Sequence, residues 1–250
     1  MSRFEGKVAL LTGAASGIGR ATALRLASEG AQVMGLDVNE VGLAETGDAV
    51  KAAGGEFAGR VCDVSSREAC FAAVDAVIER FGRLDVLGNI AGVNRFAHFH
   101  EMSEADWNLL KGVNIDGVFY MCQAAIPRLR ESKGNIVTIA SVASLRGQAY
   151  TAAYSATKGA VANLVRSLAM EYVRQDIRIN AIAPGGVDTA MNVSLQIPEG
   201  ANGKLIQRYA SFRGGCAPEE IAQVFALLAS EDVPYVHGAI WTIDGGTTAG

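Results

Sequence analysis

Short apolar runs recur along this 250-residue chain, each followed by a longer stretch of helical character. "KVALLTG" precedes residues 17–29, "AQVMGLD" precedes 40–53, and "LDVLGNIAG" precedes the segment around Trp107. The alternation continues through "GNIVTIAS", a helix carrying Tyr154, "IRINAIAPG", a helix beginning near "APEEIAQVFALLAS", and a closing "AIWTIDGG". A strand covered by helices on both faces is apolar throughout, so the pattern predicts an α/β fold: one doubly wound parallel sheet of Rossmann type over 1–250. One stretch breaks the rhythm. In 190–213, Pro198, Gly200 and Gly203 interrupt a weak helical pattern, and an insertion of that length is expected to form a mobile substrate lid.

The first strand leads into "TGAASGIG", Thr12 to Gly19, and then directly into a helix. Glycines allow a tight turn and close backbone approach, while the free N–H groups of a helix start attract phosphate. Gly13, Ser16, Gly17, Ile18 and Gly19 are therefore candidate dinucleotide contacts, in the spacing G-x-x-x-G-x-G. The second strand ends in Asp37, placed to accept hydrogen bonds from an adenosine ribose, or alternatively to cap the next helix. Asp63, with Val64 beside it, ends another strand and could position an adenine edge or cap the helix beginning at "SSREACFAAV".

Tyr154 and Lys158 stand four positions apart in a helical stretch, so both side chains reach one small volume. A cation beside a phenol favours phenolate, and the pair suits a tuned acid/base at Tyr154.

With 22 basic and 26 acidic residues the net charge is -4, and no stretch concentrates Lys and Arg, which argues against nucleic acid or an anionic membrane as partner. Cys62, Cys70, Cys122 and Cys216 show neither C-x-x-C nor zinc-type spacing and are expected to be buried thiols in a reducing compartment. The start "MSRFEGKVALLTG" does not read as a secretory signal, and no uncharged apolar segment reaches membrane-span length, so a cytoplasmic location is expected. His98 and His100 alternate like strand residues, but no nearby ligand set completes them, and no metal is expected. Trp107, Trp241 and the methionines are assigned to the core.

Taken with "GNIAG", Asn114, Ser141 and "PGGVDT", these motifs resemble the short-chain dehydrogenase/reductase family over essentially the whole chain. The resemblance implies binding of a nicotinamide dinucleotide and a catalytic set of Asn114, Ser141, Tyr154 and Lys158, with Ser141 orienting the substrate oxygen. Asn114 would serve a water-mediated proton path from Lys158; the residue alone reads equally as a buried amide bonded to backbone. Asn89-Ile90-Ala91-Gly92 is similar to the family's N-N-A-G element, with Ile90 in place of the second Asn. Asn89, Ala91 and Gly92 would then frame the cofactor site, and Pro184, Gly185, Val187 and Thr189 would meet the nicotinamide end. Lys158 would also bond the nicotinamide ribose. A homotetramer is the family expectation.

Asp37, with Val38 after it and Ser16 where a cation would otherwise stand, favours NAD over NADP. The function expected is interconversion of a secondary alcohol and a ketone. Two alternatives are a 3-ketoacyl carrier-protein reductase, with Arg128, Arg130, Lys133 and Arg174 as a docking patch, and a non-enzymatic dinucleotide-binding regulator. The substrate is expected against Val93-Asn94-Arg95-Phe96, "VASLRGQAY" and the lid; Arg95 and Arg146 are expected at the surface, though Arg146 or Gln148 could meet a polar or carboxylate group.

Overall fold

A computed structural model describes residues 2–193, 196–211 and 213–249, with the side chains of 192 and 193 not described. The apolar runs form seven strands: β1 Val8–Thr12, β2 Gln32–Asp37, β3 Glu56–Val61, β4 Val86–Asn89, β5 Asn135–Ile139, β6 Arg178–Pro184 and β7 Ile240–Ile243. They lie in one sheet of order β3-β2-β1-β4-β5-β6-β7, and every pairing is parallel. The connecting helices are α1 Gly17–Ser28, α2 Glu40–Ala52, α3 Arg67–Phe81, α4 Glu104–Lys111, α5 Gly117–Ser132, α6 Ala152–Glu171, α7 Ala190–Val193, α8 Gly203–Gln207 and α9 Pro218–Ala229.

Alternate residues of each strand feed opposite faces. Leu10 and Ile136 join a core with Met121, Leu129 and Val165, while their neighbours Leu11 and Val137 join a second core with Leu26 and Phe225. Both faces being covered explains why these strands carry no polar alternation. The winding direction reverses between β1 and β4, and such a switch point opens a crevice at the C-terminal strand ends.

Some expectations fail. Trp107 is 36% exposed and Met170 71%, since both lie on outward faces of amphipathic helices, where sequence hydrophobicity alone does not fix orientation. Cys62, Cys70 and Cys122 are buried, but Cys216 is only partly so. No helix among the described residues is long and apolar enough to cross a membrane.

Candidate active site

The crevice is a cleft of ≈ 1040 Å³, at the upper end of the roughly 300–1,000 Å³ of small-molecule sites. At one end, Gly13 (φ +70) and Gly17 (φ +49) hold left-handed backbone. A Cβ on Gly13 would stand 2.9 Å from Ala91 Cα, and one on Gly17 3.0 Å from Thr189 Cγ2, so glycine is what lets the loop close against β4 and the 184–189 turn. Ser16 caps α1 with extended backbone but no side-chain hydrogen bond, leaving first-turn amides for an anion.

Asp37 Oδ2 accepts from Ala15 N at 3.1 Å and Oδ1 from Asn39 N at 3.0 Å. Helix α2 is capped by Asn39 and α3 by Ser66, so neither Asp37 nor Asp63 is a helix cap. Asp63 instead accepts from the Ser65 amide and hydroxyl at 2.9 and 2.7 Å. The Arg20 guanidinium, in the first turn of the loop's own helix, is occupied by Glu45 at 2.7 Å, Ala15 O at 2.7 Å and Thr46 at 3.0 Å. Asp37, Asp63 and Val64 line the cleft, as do Gly13, Ser16, Ile18 and Gly19.

At the other end, Tyr154 and Lys158 lie one turn apart on α6, and Ser141 follows β5. The Lys158 Nζ donates to Ile139 O at 2.8 Å and stands 5.8 Å from the Tyr154 ring centroid. Burial pushes the Lys158 amine down to about 8. The Tyr154 phenol is raised above its ordinary value by burial, against a lowering by its hydrogen bond with Ser141. The expectation that Lys158 depresses Tyr154 is therefore corrected: in the free cleft burial raises the phenol against the Ser141 hydrogen bond, while the Lys158 amine, 5.8 Å from the ring centroid, donates to the Ile139 carbonyl.

Asn114 sits in a π-helical turn, Gly112–Asp116, between α4 and α5. Its Oδ1 accepts from Val93 N at 2.9 Å, and its Nδ2 donates to Val93 O at 2.9 Å and Thr157 Oγ1 at 3.1 Å. The side chain thus braces the Gly92–Val93 wall behind the cleft. Asn89 also lies behind it, donating to Cys122 Sγ and Thr138 Oγ1, both at 3.3 Å. Ala91, Gly92, Pro184, Gly185, Val187 and Thr189 do face the cleft.

Val93 to Phe96 form part of the wall, but 142–150 does not. That segment clasps 199–209 instead: Asn202 N donates to Tyr150 Oη at 2.8 Å, Tyr209 Oη to Ala149 O at 2.9 Å, and Arg146 Nη2 to Arg208 O at 2.9 Å. His98 Nε2 bonds Glu199 O at 2.9 Å and its ring packs edge-on to Tyr150. Arg95 is exposed, as expected, and pairs with the partly exposed Asp106 at 3.2 Å where both line the cleft. Of the expected lid 190–213, residues 194, 195 and 212 lie outside the described residues.

Residues 13–248 match a family described as enoyl-(acyl carrier protein) reductase. A 3-oxoacyl-[acyl-carrier-protein] reductase from Thermotoga maritima is 39% identical over 98% of both chains. The meso-2,3-butanediol dehydrogenase of Serratia marcescens is 40% identical over 99% of this chain and 96% of its own. A short chain dehydrogenase from Mycobacterium paratuberculosis, crystallised with NAD, superposes with TM-score 0.92 at 30% identity, over 99% of this chain and 100% of that one. The chain belongs to the short-chain dehydrogenase/reductase family.

In this short-chain dehydrogenase/reductase, Ile90 is absorbed into the second core at 8% exposure. The backbone of that element is fixed by Thr12, whose Oγ1 accepts from Ile90 N at 2.9 Å and Ala91 N at 3.0 Å. Thr12, Ile139, Asp106 and Thr157 each hold a site residue in place. Of these only Thr12 carries a motif; the others act through neighbours far away in sequence. Among the described residues, no three His, Cys, Asp or Glu side chains converge as metal ligands.

Proposed function

We propose that the protein is an NAD(H)-dependent oxidoreductase interconverting a secondary alcohol and a ketone, with Tyr154 as acid/base. The observation that carries this reading is the Tyr154 hydroxyl, bonded to Ser141 and one turn from the buried Lys158 amine, in the same cleft as the glycine loop. The left-handed glycines and uncapped α1 start fit a pyrophosphate, and the Asp37 carboxylate fits ribose hydroxyls. A nicotinamide dinucleotide, when bound, supplies the hydride acceptor for oxidation and the donor for reduction.

Gly13 to Gly19 would hold the pyrophosphate, Asp63 and Val64 the adenine edge, and Pro184, Gly185, Val187 and Thr189 the nicotinamide end. Ala91 and Gly92 would wall the cofactor, with Asn89 supporting them from behind. In oxidation Tyr154 takes the hydroxyl proton while Ser141 orients the oxygen; in reduction Tyr154 returns the proton and Ser141 steadies the developing oxyanion. Lys158 would bond the nicotinamide ribose, and Asn114 positions the wall beside Lys158 on a proton path to solvent.

The Thermotoga relative favours a second reading, a 3-ketoacyl carrier-protein reductase. Asp37 weighs against it, since that chemistry is commonly run on NADPH. Initial rates by NADH absorbance over sugars, hydroxy acids, steroids and cyclic diols, set beside a ketoacyl thioester with NADPH, decide between them. Turnover of an alcohol with NAD supports the first reading; reduction of the thioester alone overturns it.

We also read the protein as a cytoplasmic homotetramer with 190–213 as its substrate lid. Exposed Phe119, Met170 and Val173 on and after α5 and α6 are consistent with self-association.

A further inference from the structure

Thr157 stands between two residues of the proposed catalytic set. Its hydroxyl donates to Tyr154 O at 2.8 Å, one turn back along α6, and accepts from Asn114 Nδ2 at 3.1 Å. Thr157 and Asn114 are both 0% exposed, and Lys158, the next residue of the helix, is 4% exposed. Neither the hydroxyl nor the amide meets bulk solvent, so each depends on partners inside the fold.

A hydroxyl has a single proton to donate. With that proton on the Tyr154 carbonyl, the Thr157 oxygen faces Asn114 as an acceptor, which suits an amide N–H. The rest of the carboxamide is taken up by Val93: Oδ1 accepts from Val93 N at 2.9 Å, and Nδ2 donates its other hydrogen to Val93 O at 2.9 Å. Both N–H bonds of Asn114 are thereby matched, and turning the amide would break every one of these contacts.

Asn114 depends on that restraint because it lies in the π-helical turn Gly112–Asp116, where the regular helical ladder is interrupted. The amide oxygen also reaches the wall at Gly92. A Cβ there would lie 3.3 Å from Asn114 Oδ1 and 3.5 Å from Lys158 Nζ. One small space beside Gly92 is therefore shared by the amide oxygen and the amine, and the placement of the oxygen runs back to Thr157.

We infer that Thr157 is a positioning residue for the proposed reaction: its hydroxyl ties the Tyr154 turn of α6 to the Asn114 carboxamide and keeps the Gly92–Val93 wall in register with Tyr154 and Lys158. This rests on the oxidoreductase reading and adds a residue to it. Thr157 does not line the cleft, so its effect passes through Asn114 and should fall on turnover more than on binding. Removing the hydroxyl leaves a buried Asn114 N–H without its acceptor, which favours a shift of the amide and of the wall it holds.

Steady-state kinetics with purified full-length enzyme and NAD, with 2,3-butanediol, 2-butanol and 3-hydroxybutyrate as trial alcohols, test the tie. On the best of these, Thr157→Val should lower kcat by about tenfold and leave KM for NAD within about threefold of wild type. Thr157→Ser, which keeps the hydroxyl, should recover most of the loss. In an Asn114→Ala background, Thr157→Val should cost less than about a further twofold, because the group it holds is gone. A purely structural role of Thr157 would give the same penalty in both backgrounds. If Thr157→Val does not fold, Thr157→Ala removes the same hydroxyl and carries the same comparison. Wild-type kcat in the Val or Ala variant, a Ser variant no better than these, or an undiminished penalty in the Asn114→Ala background overturns the inference and leaves the oxidoreductase reading standing. Absence of wild-type turnover with all of these alcohols, in the presence of NAD or NADP, overturns both.

Discussion

The Lys158 ammonium donates to the Ile139 carbonyl at 2.8 Å, which draws the charge of α6 into the end of β5 and away from solvent. The residue is 4% exposed and its amine falls from 10.5 to about 8 through burial alone. Below pH 8 both folded and unfolded chains carry the proton, and the folded chain bears the full penalty of the buried charge. Between about 8 and 10.5 the folded chain releases the proton while the unfolded chain keeps it, so stability rises with pH across that window. Lys158→Met should therefore stabilise the fold at pH 7 by roughly 2 kcal/mol after loss of the Ile139 hydrogen bond, raising Tm by about 4–8 °C. The gain should shrink above pH 10 while turnover falls throughout. Calorimetry at pH 7 and 10 checks this; a lower Tm at pH 7 would contradict the burial argument.

Tyr154→Phe should abolish turnover, by a factor of about 10² or more, with NAD affinity within a few-fold of wild type, since only the proton-transfer oxygen is lost. Because burial raises the Tyr154 phenol, alcohol oxidation should climb as pH increases above neutrality and carbonyl reduction should decline. Opposed pH profiles in the two directions are the expected result. Wild-type turnover in the variant removes Tyr154 from the mechanism.

With the dinucleotide bound as proposed, Asp37 would offer a carboxylate where the 2′-phosphate of NADP would sit, and Arg20 is occupied by Glu45. An uncompensated clash of about 3 kcal/mol corresponds to a preference for NAD on the order of a hundredfold in kcat/KM. Asp37→Ala should shrink that ratio, chiefly by weakening NAD. Equal efficiency with NADP in the wild type would show that Asp37 does not select the cofactor.

Tyr150 holds φ 65 with its hydroxyl accepting from Asn202 N, its carbonyl accepting from Ala97 N at 2.9 Å and its ring against His98. Tyr150→Phe removes one of these ties, worth about 1 kcal/mol, and should raise KM several-fold with kcat little changed. Hydrogen exchange should quicken over 199–209 in the variant, and slow over the described parts of 190–213 when cofactor and substrate bind the wild type. Exchange unchanged in both comparisons would remove the lid role.

The sequence alone determined the elements whose cause is local. Strand runs such as 8–12 and 178–184, the glycine turn before α1, the acid closing β2 and the spacing of Tyr154 and Lys158 on one helix face all follow from periodicity and backbone freedom over a few residues. Tertiary structure decided what depends on neighbours distant in the chain. Burial sets the direction in which the Tyr154 phenol and the Lys158 amine shift, and that burial comes from elements far apart in the chain, β5 with Ile139 among them. The turn of Asn89 and Asn114 behind the cleft comes from partners on α5, β5 and α6 that no local pattern specifies. The same holds for 142–150, which follows Ser141 directly but closes on 199–209 because its free backbone and side-chain groups find donors and carbonyls there, and for Arg95, whose charge is matched by Asp106 eleven positions on. Local sequence fixes which chemistry a segment carries; only long-range packing fixes which water is removed from it, and that desolvation determines its charge and its partners.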